Sequence, residues 1–395
     1  MARRAPVAGA VLTAASAAQA SVSVVNFGLP AIGPALGSEY GLSLFELGAV
    51  LGAGLLGAGV ALVPAGIAVD RFGARRALVA GTIVTVGGLL AASAATTKGA
   101  LYLALLVFGL GSAVVTVGGA GALFHVYPPA RRGWALGVRQ TAVPLGGTIG
   151  AVGFPLLEAA GGVRLTLLVT TTAVGITGLA FAVVVRSNSR AVATRVSRPF
   201  RTIWRAPGML RLLAVAACYI VVLQALLAFV VPAVRAAGYT TLVASVAYFA
   251  INVAAMAARI AWGKLADRDA GARRSRTLVE VGLVAVGGAL LFAGALHVGP
   301  VATIAAAVLF GVGALGWNAI VYVSAGERAE PALATRSVAV AATVVFVLSG
   351  VATPALGALV DAVGWDALWI ATACTAAAGV LLASRLSDTP EGSRS

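Results

Sequence analysis

The feature that most constrains this chain is a series of apolar stretches, each long enough to cross a lipid bilayer as a helix. About 20 apolar residues are needed for one crossing. Twelve such stretches lie near residues 8–36, 44–68, 76–96, 100–124, 133–157, 163–185, 209–236, 241–267, 276–296, 299–323, 333–359 and 364–385. Their apolar character is continuous and not alternating, which excludes a membrane β-barrel. We therefore predict an all-α integral membrane protein with twelve transmembrane helices.

Composition supports the same fold class. Of the 395 residues, 60% are apolar and only 10% are charged, whereas soluble domains carry about 25% charged residues. Most of the chain is therefore expected to lie within the lipid bilayer. Two histidines and the absence of a catalytic constellation predict no enzyme, no metal site and no cofactor.

The net charge of +15 comes mainly from arginines in the loops between apolar stretches. Arginines cluster after the second, fourth, sixth and eighth stretches, and the opposite side receives only Lys98, Arg164 and Arg235. By the positive-inside rule, both termini are expected on the cytoplasmic side of a plasma or inner membrane. The clustering also argues against a nucleic-acid partner, and we expect a monomer.

Two loops in corresponding places have similar sequences. Residues 66–76 read GIAVDRFGARR and residues 263–274 read GKLADRDAGARR, and each segment follows the second stretch of its half. This repeat predicts two six-helix bundles, residues 1–185 and 209–395, joined by a cytoplasmic linker over 186–208.

Both loops resemble the G-x-x-x-D-R-x-G-R-[RK] signature that joins the second and third helices of the major facilitator superfamily. The first copy has Ala74 before its paired arginines, and the second has one extra residue before its glycine. The resemblance implies the fold of that superfamily, two pseudo-symmetric six-helix bundles, and a substrate site between them near the membrane midplane. It also implies that each loop is a gating latch that closes the cytoplasmic side.

The expected latch consists of loop residues and one arginine of the eleventh stretch: Asp70, Arg71, Gly73, Arg75, Asp267, Arg268 and Arg336. Family architecture would pair Arg336 with Asp70 and Arg139 with Asp267. Arg139 is alternatively a substrate contact beside Gln140. Arg274 is expected only to orient the chain.

Arg259 is the most informative of three arginines that lie inside apolar stretches. Tyr248, Asn252 and Arg259 occur at i, i+4 and i+11, which places them on one helix face. A guanidinium binds a carboxylate bidentately. The segment is similar to the eighth helix of the monocarboxylate and oxalate/formate branches, although Ala255 stands where those porters often have an aspartate. Arg259 therefore binds either a substrate anion or a structural partner such as a backbone carbonyl.

Other polar side chains lie in the spans that line the pathway in the superfamily. These candidate binding residues are Gln19, Asn26, Tyr219, Asn318 and Tyr322. Each is equally compatible with a hydrogen bond between helices.

The sequence thus predicts a secondary active transporter of a small organic or inorganic anion, working by alternating access. Coupling through the substrate's own charge, through exchange for a counter-anion, or through a proton at Asp70, His125 or Glu280 is compatible with the sequence. The alternative is an exporter of amphipathic drugs, because residues 144–147, Pro-Leu-Gly-Gly, partly match an element of exchanger branches.

Overall fold

A computed structural model describes residues 4–127, 135, 138–185, 201–268, 273–329 and 333–387. These residues form helices and connecting turns, with no β-strand in the described ranges. The helices are α1 (Arg4–Gly28), α2 (Gly33–Tyr40), α3 (Leu44–Phe72), α4 (Ala74–Ser93), α5 (Lys98–Val126), α6 (Ala142–Val184), α7 (Arg201–Trp204), α8 (Met209–Ala236), α9 (Thr241–Ala266), α10 (Arg274–Ala295), α11 (Pro300–Ala314), α12 (Asn318–Arg328), α13 (Ala334–Val363) and α14 (Trp365–Ala383). A short 3-10 turn, Leu29–Ile32, joins α1 to α2.

Eleven helical stretches of the described chain are long and apolar enough to cross a membrane. One of them contains α6, whose 43 residues would extend about 65 Å as a single helix, twice the thickness of the hydrocarbon core. The helix is broken at Gly161 and Gly162, where Gly162 has a φ of +72°. Since only glycine adopts such a backbone without strain, α6 consists of two arms that meet at this turn. Counted separately, the arms bring the spans to the twelve that the sequence predicts, and the all-α membrane fold is confirmed.

The chain separates into two compact units, Met1–Thr194 and Arg195–Ser395. Residues 186–200 of the predicted linker lie outside the described residues. The described end of the linker contains α7 and Gly208, which precedes α8 with a φ of +72°. The domain bounds 1–185 and 209–395 stay a prediction.

A glycine contact between the third and fourth spans occurs in both units. A Cβ added to Gly88 on α4 would lie 2.8 Å from Cα of Phe108 on α5. In the second unit, a Cβ on Gly288 of α10 would lie 2.5 Å from Cα of Phe310 on α11. Both glycines therefore allow two helix backbones to approach closely, as small residues do in membrane proteins.

A second glycine contact follows the same correspondence. A Cβ on Gly111 of α5 would lie 2.5 Å from the backbone nitrogen of Thr85. A Cβ on Gly313 of α11 would lie 2.8 Å from Cα of Ala285. The duplication seen in the loop sequences thus extends to the packing inside each unit.

Two adjacent glycines of α4 provide a test of this packing. Gly88→Ala is expected to destabilise the protein by about 1–3 kcal/mol, because its Cβ overlaps the α5 backbone. Gly87 has no neighbouring atom within 4 Å, so Gly87→Ala is expected to stabilise the helix by about 0.5–1 kcal/mol. Thermal unfolding of the two variants in detergent measures the difference, and equal melting temperatures would contradict the packing described.

Candidate functional site

The C-terminal unit carries an interruption in its tenth predicted span. Helix α11 ends at Ala314 and α12 begins at Asn318, leaving residues 315–317 outside regular helix. Irregular backbone at membrane depth occurs where it is buried in protein or lines a cavity, since its polar groups need partners other than lipid. The side chains that hydrogen-bond to the backbone around residues 315–317 therefore define the candidate site.

Helix α9 provides two side-chain donors to this interruption. Arg259 Nε donates to the carbonyl oxygen of Leu315 at 3.2 Å. Trp262 Nε1, one turn further along the same face, donates to the carbonyl oxygen of Val312 at 3.0 Å. Gly316 makes this approach possible, because a Cβ there would lie 2.9 Å from Trp262 Nε1. The two donors hold the interruption against α9.

The remainder of the Arg259 guanidinium is unpaired within the described part of the chain. Its side chain is half-buried, and Nη1 and Nη2 have no hydrogen-bond partner there. None of the ion pairs between described residues includes Arg259. The two terminal nitrogens, called here the Arg259 fork, are therefore available for an acceptor that the described residues do not supply.

Two predicted residues lie on α12, directly after the interruption that Arg259 contacts. Tyr322 is half-buried and lies near Arg259. Asn318, one turn earlier on α12, has a buried Oδ1 with no hydrogen-bond partner in the structure described. The Arg259 fork, Asn318 and Tyr322 form the candidate functional site.

Three other predicted residues of this unit are engaged in structural bonds. Asn252 Nδ2 donates to the carbonyl oxygen of Tyr248 at 2.9 Å, one turn back on α9, and both side chains are fully buried. Tyr219 Oη donates to the carbonyl oxygen of Leu278 at 2.7 Å, and its ring packs against Trp317. The Tyr219 bond joins two helices and fits its structural alternative, whereas the Asn252 bond lies within α9. A role of these three residues in binding stays a prediction.

The N-terminal unit has a polar cluster of its own around Arg139. The side chain is only 3% exposed, and its Nη2 donates to Gln19 Oε1 at 2.7 Å. The same nitrogen donates to the carbonyl oxygens of Val115 and Thr116 on α5, at 3.0 and 3.2 Å. No described carboxylate pairs with Arg139, and its buried Nε has no partner. The cluster thus encloses a positive charge that only neutral groups compensate.

Gly119 explains how so large a group fits among the helices of this unit. A Cβ at Gly119 on α5 would lie 2.5 Å from Arg139 Nε and 2.7 Å from its Cζ. The structure brings Gln19 to Arg139 but leaves Gln140 exposed, so the two neighbours in sequence occupy different faces. Asn26 instead packs with its Oδ1 against Gly54 of α3.

The first predicted latch lies at the turn between α3 and α4. Gly73 ends α3 with a φ of +84°, a backbone conformation that favours glycine. Asp70, Arg71 and Arg75 are exposed, and the Arg71 guanidinium lies 5.4 Å from the centre of the Phe72 ring. The turn geometry agrees with the loop motif, and the latch function of these residues stays a prediction.

The second predicted latch contains an ion pair that the sequence did not reveal. Arg274 Nη2 lies 3.7 Å from Asp267 Oδ1, and Arg274 also pairs with Glu327 at the end of α12. Arg274, expected only to orient the chain, is thus corrected to a charged link between α10 and α12. Arg268 is exposed and Arg336 is half-buried.

Pairing of Arg336 with Asp70, and of Arg139 with Asp267, would join the two units and stays a prediction. Sequence reasoning also missed Trp262 and Glu327. For Trp262 the available signal was its position three residues after Arg259, on the same helix face. For Glu327 it was a carboxylate at the end of a span in an acid-poor chain.

Comparison with solved structures shows the fold to which these units belong. The chain is similar to the crystal structure of the nucleoside transporter NupG, with a TM-score of 0.75, 12% sequence identity and coverage of 95% of this chain and 99% of that one. It is equally similar to an inward-facing, unoccupied bacterial homologue of the human lysosomal transporter Spinster, with a TM-score of 0.75, 14% identity and coverage of 96% and 95%.

Sequence comparison gives the family. No curated protein sequence matches the chain significantly. The family model described as Major Facilitator Superfamily matches residues 11–354, which is most of the chain. The predicted superfamily is confirmed, whereas the resemblance to its monocarboxylate and oxalate/formate branches stays a prediction. The chain is a multi-pass membrane transporter that belongs to the Major Facilitator Superfamily.

Proposed function

We propose that this transporter moves a small organic or inorganic anion, and that the Arg259 fork binds the anionic group. The observation that carries the proposal is the unpaired fork in a transmembrane helix, with no described carboxylate to compensate it. A charged arginine within a transmembrane span is costly to bury unless it has a partner. A substrate anion would offset that cost while it is bound.

The contact between Arg259 and Leu315 supports this role. Because Nε is held by a backbone carbonyl, the guanidinium is oriented before the substrate arrives. The planar edge formed by Nη1 and Nη2 matches two oxygens of a carboxylate or phosphate group. Interrupted helices are also where many transporters bind their substrates, and the interruption at residues 315–317 lies directly beside Arg259.

The transport cycle follows from the same proposal. The protein works as a secondary active transporter by alternating access, with its latch loops on the cytoplasmic side. The arginine distribution supports a plasma or inner membrane location with both termini in the cytoplasm. Among the candidate coupling residues, Glu280 is already paired with Arg276 at 3.1 Å and with Arg273 at 3.7 Å. This pairing favours coupling through the substrate's own charge or a counter-ion over coupling through Glu280.

A ligand screen by thermal unfolding tests the substrate class. A ligand that binds only the folded protein raises its melting temperature. We expect small carboxylates or inorganic anions to stabilise the wild-type protein, and to lose this effect in Arg259→Ala. Arg235→Ala is the matched control, since Arg235 donates only to the nearby carbonyl of Tyr239 and should leave the effect intact.

The same screen includes nucleosides and a cationic amphipathic dye. Stabilisation by the dye alone would favour the drug-export alternative, for which the comparisons give no support. Stabilisation by nucleosides alone would likewise contradict an anionic substrate. Stabilisation by anions that persists in Arg259→Ala would place the binding group elsewhere.

A further inference from the structure

We propose that the anion bound at the Arg259 fork carries a hydroxyl group near its charged group, and that Asn318 binds this hydroxyl. The inference rests on the proposed function and narrows its substrate class. It makes Asn318 a residue that determines specificity, separate from the arginine that supplies affinity for negative charge.

The first observation is the unsatisfied amide of Asn318. Its Oδ1 is buried and accepts no hydrogen bond from any described residue. Most buried polar atoms in proteins have a partner, so an unpaired amide oxygen indicates a missing donor.

The second observation is the position of this amide relative to the Arg259 fork. Asn318 and Tyr322 are one turn apart on α12 and share a face, and Tyr322 lies near Arg259. Arg259 also reaches Leu315, three residues before Asn318. The unsatisfied amide and the unpaired fork therefore border the same interruption of the tenth span.

The amide of Asn318 determines which ligand group could form the missing hydrogen bond. A hydroxyl can donate to the amide oxygen and can also accept from the amide nitrogen, so it fits either end of the Asn318 side chain. A methyl or methylene group fits neither end. An anion with a hydroxyl beside its carboxylate would satisfy Arg259 and Asn318 together.

Two other unpaired buried groups of the described chain lie in different surroundings. The Thr82 hydroxyl packs against Gly178 at a helix contact of the N-terminal unit. Trp369 Nε1 is enclosed by the rings of Phe292 and Phe310, both nearly perpendicular to the indole. Neither position has an unpaired guanidinium beside it, and neither suggests a ligand.

The test compares anions that differ by one hydroxyl. Dissociation constants are measured on the purified full-length protein for glycolate against acetate and for malate against succinate. We expect wild-type protein to bind at least one hydroxylated member about tenfold more tightly than its partner, the effect of one well-formed hydrogen bond. In Asn318→Leu the preference should fall to about one, while binding of the partner without the hydroxyl changes by less than about threefold.

The control variant is Thr82→Val, which removes a different buried unpaired polar group, a hydroxyl, and should keep the wild-type preference. If Asn318→Leu does not fold, the ratio is measured in Asn318→Ser. Equal affinities within both pairs in wild-type protein, or a preference that survives loss of the amide, would overturn the inference. Binding that depends on Arg259 without any hydroxyl preference would overturn only this inference, whereas absence of anion binding would overturn the proposed function as well.

Discussion

Arg259→Ala and Arg259→Lys are both expected to reduce anion uptake into proteoliposomes by about 100-fold or more. Two charge-assisted hydrogen bonds at about 1.5–3 kcal/mol each account for a loss of this size. Lysine keeps the charge but presents a single ammonium group. It cannot hold the Leu315 carbonyl and also bind two oxygens of an anion in one plane.

Trp262→Phe separates binding of the anion from support of the interrupted helix. The variant removes the bond to the Val312 carbonyl, keeps an aromatic ring and leaves the Arg259 fork unchanged. We expect its uptake to stay within about fivefold of wild type, since a neutral hydrogen bond contributes about 1 kcal/mol. Equal losses in Trp262→Phe and Arg259→Lys would mean that Arg259 only supports the backbone. Unimpaired uptake in Arg259→Lys would exclude bidentate binding.

Arg139→Met is expected to abolish transport without lowering the stability of the protein. Taking the charge of an arginine out of water costs several kcal/mol. Each of the three hydrogen bonds of Arg139 Nη2 stabilises the fold by about 0.6 kcal/mol, the typical value within membranes. The cost exceeds the gain, so we infer that the charge serves transport and not folding.

The measurement combines the melting temperature of Arg139→Met with its uptake rate per folded molecule. We expect an unchanged or higher melting temperature and an uptake at least tenfold below wild type. Gln19→Leu removes the only side-chain acceptor of Arg139 among the described residues and should lower uptake in the same direction. A lower melting temperature with a normal rate per folded molecule would instead make Arg139 a structural residue.

Hydropathy predicted the spans because lipid accepts only continuous apolar segments, but it reports composition and not backbone continuity. The stretch at 299–323 therefore reads as one helix, although the structure interrupts it at residues 315–317. The two arms of α6, in contrast, were already separate in the sequence as the stretches 133–157 and 163–185, and the non-helical backbone at Gly161 and Gly162 marks the turn between them. Glycine occurs at both breaks in helical structure. The sequence does not distinguish these glycines from those, such as Gly88, that only allow two helices to pack closely.

The sequence predicted those candidate-site residues whose charge interrupts an apolar stretch. Arg259 and Arg139 were found in this way, because arginine is rare in apolar stretches. Their partners were not predictable. Every residue has a carbonyl, so nothing in the sequence distinguishes that of Leu315, and Gln19 lies 120 positions from Arg139. Whether a polar residue such as Asn318 is satisfied depends on packing in three dimensions.

An experimental structure of the protein with a bound carboxylate tests the central claim most directly. The account predicts both carboxylate oxygens within about 3 Å of Nη1 and Nη2 of Arg259, with Nε still bonded to the carbonyl of Leu315. An anion bound away from Arg259, or a carboxylate of the protein itself occupying the Arg259 fork, would contradict it.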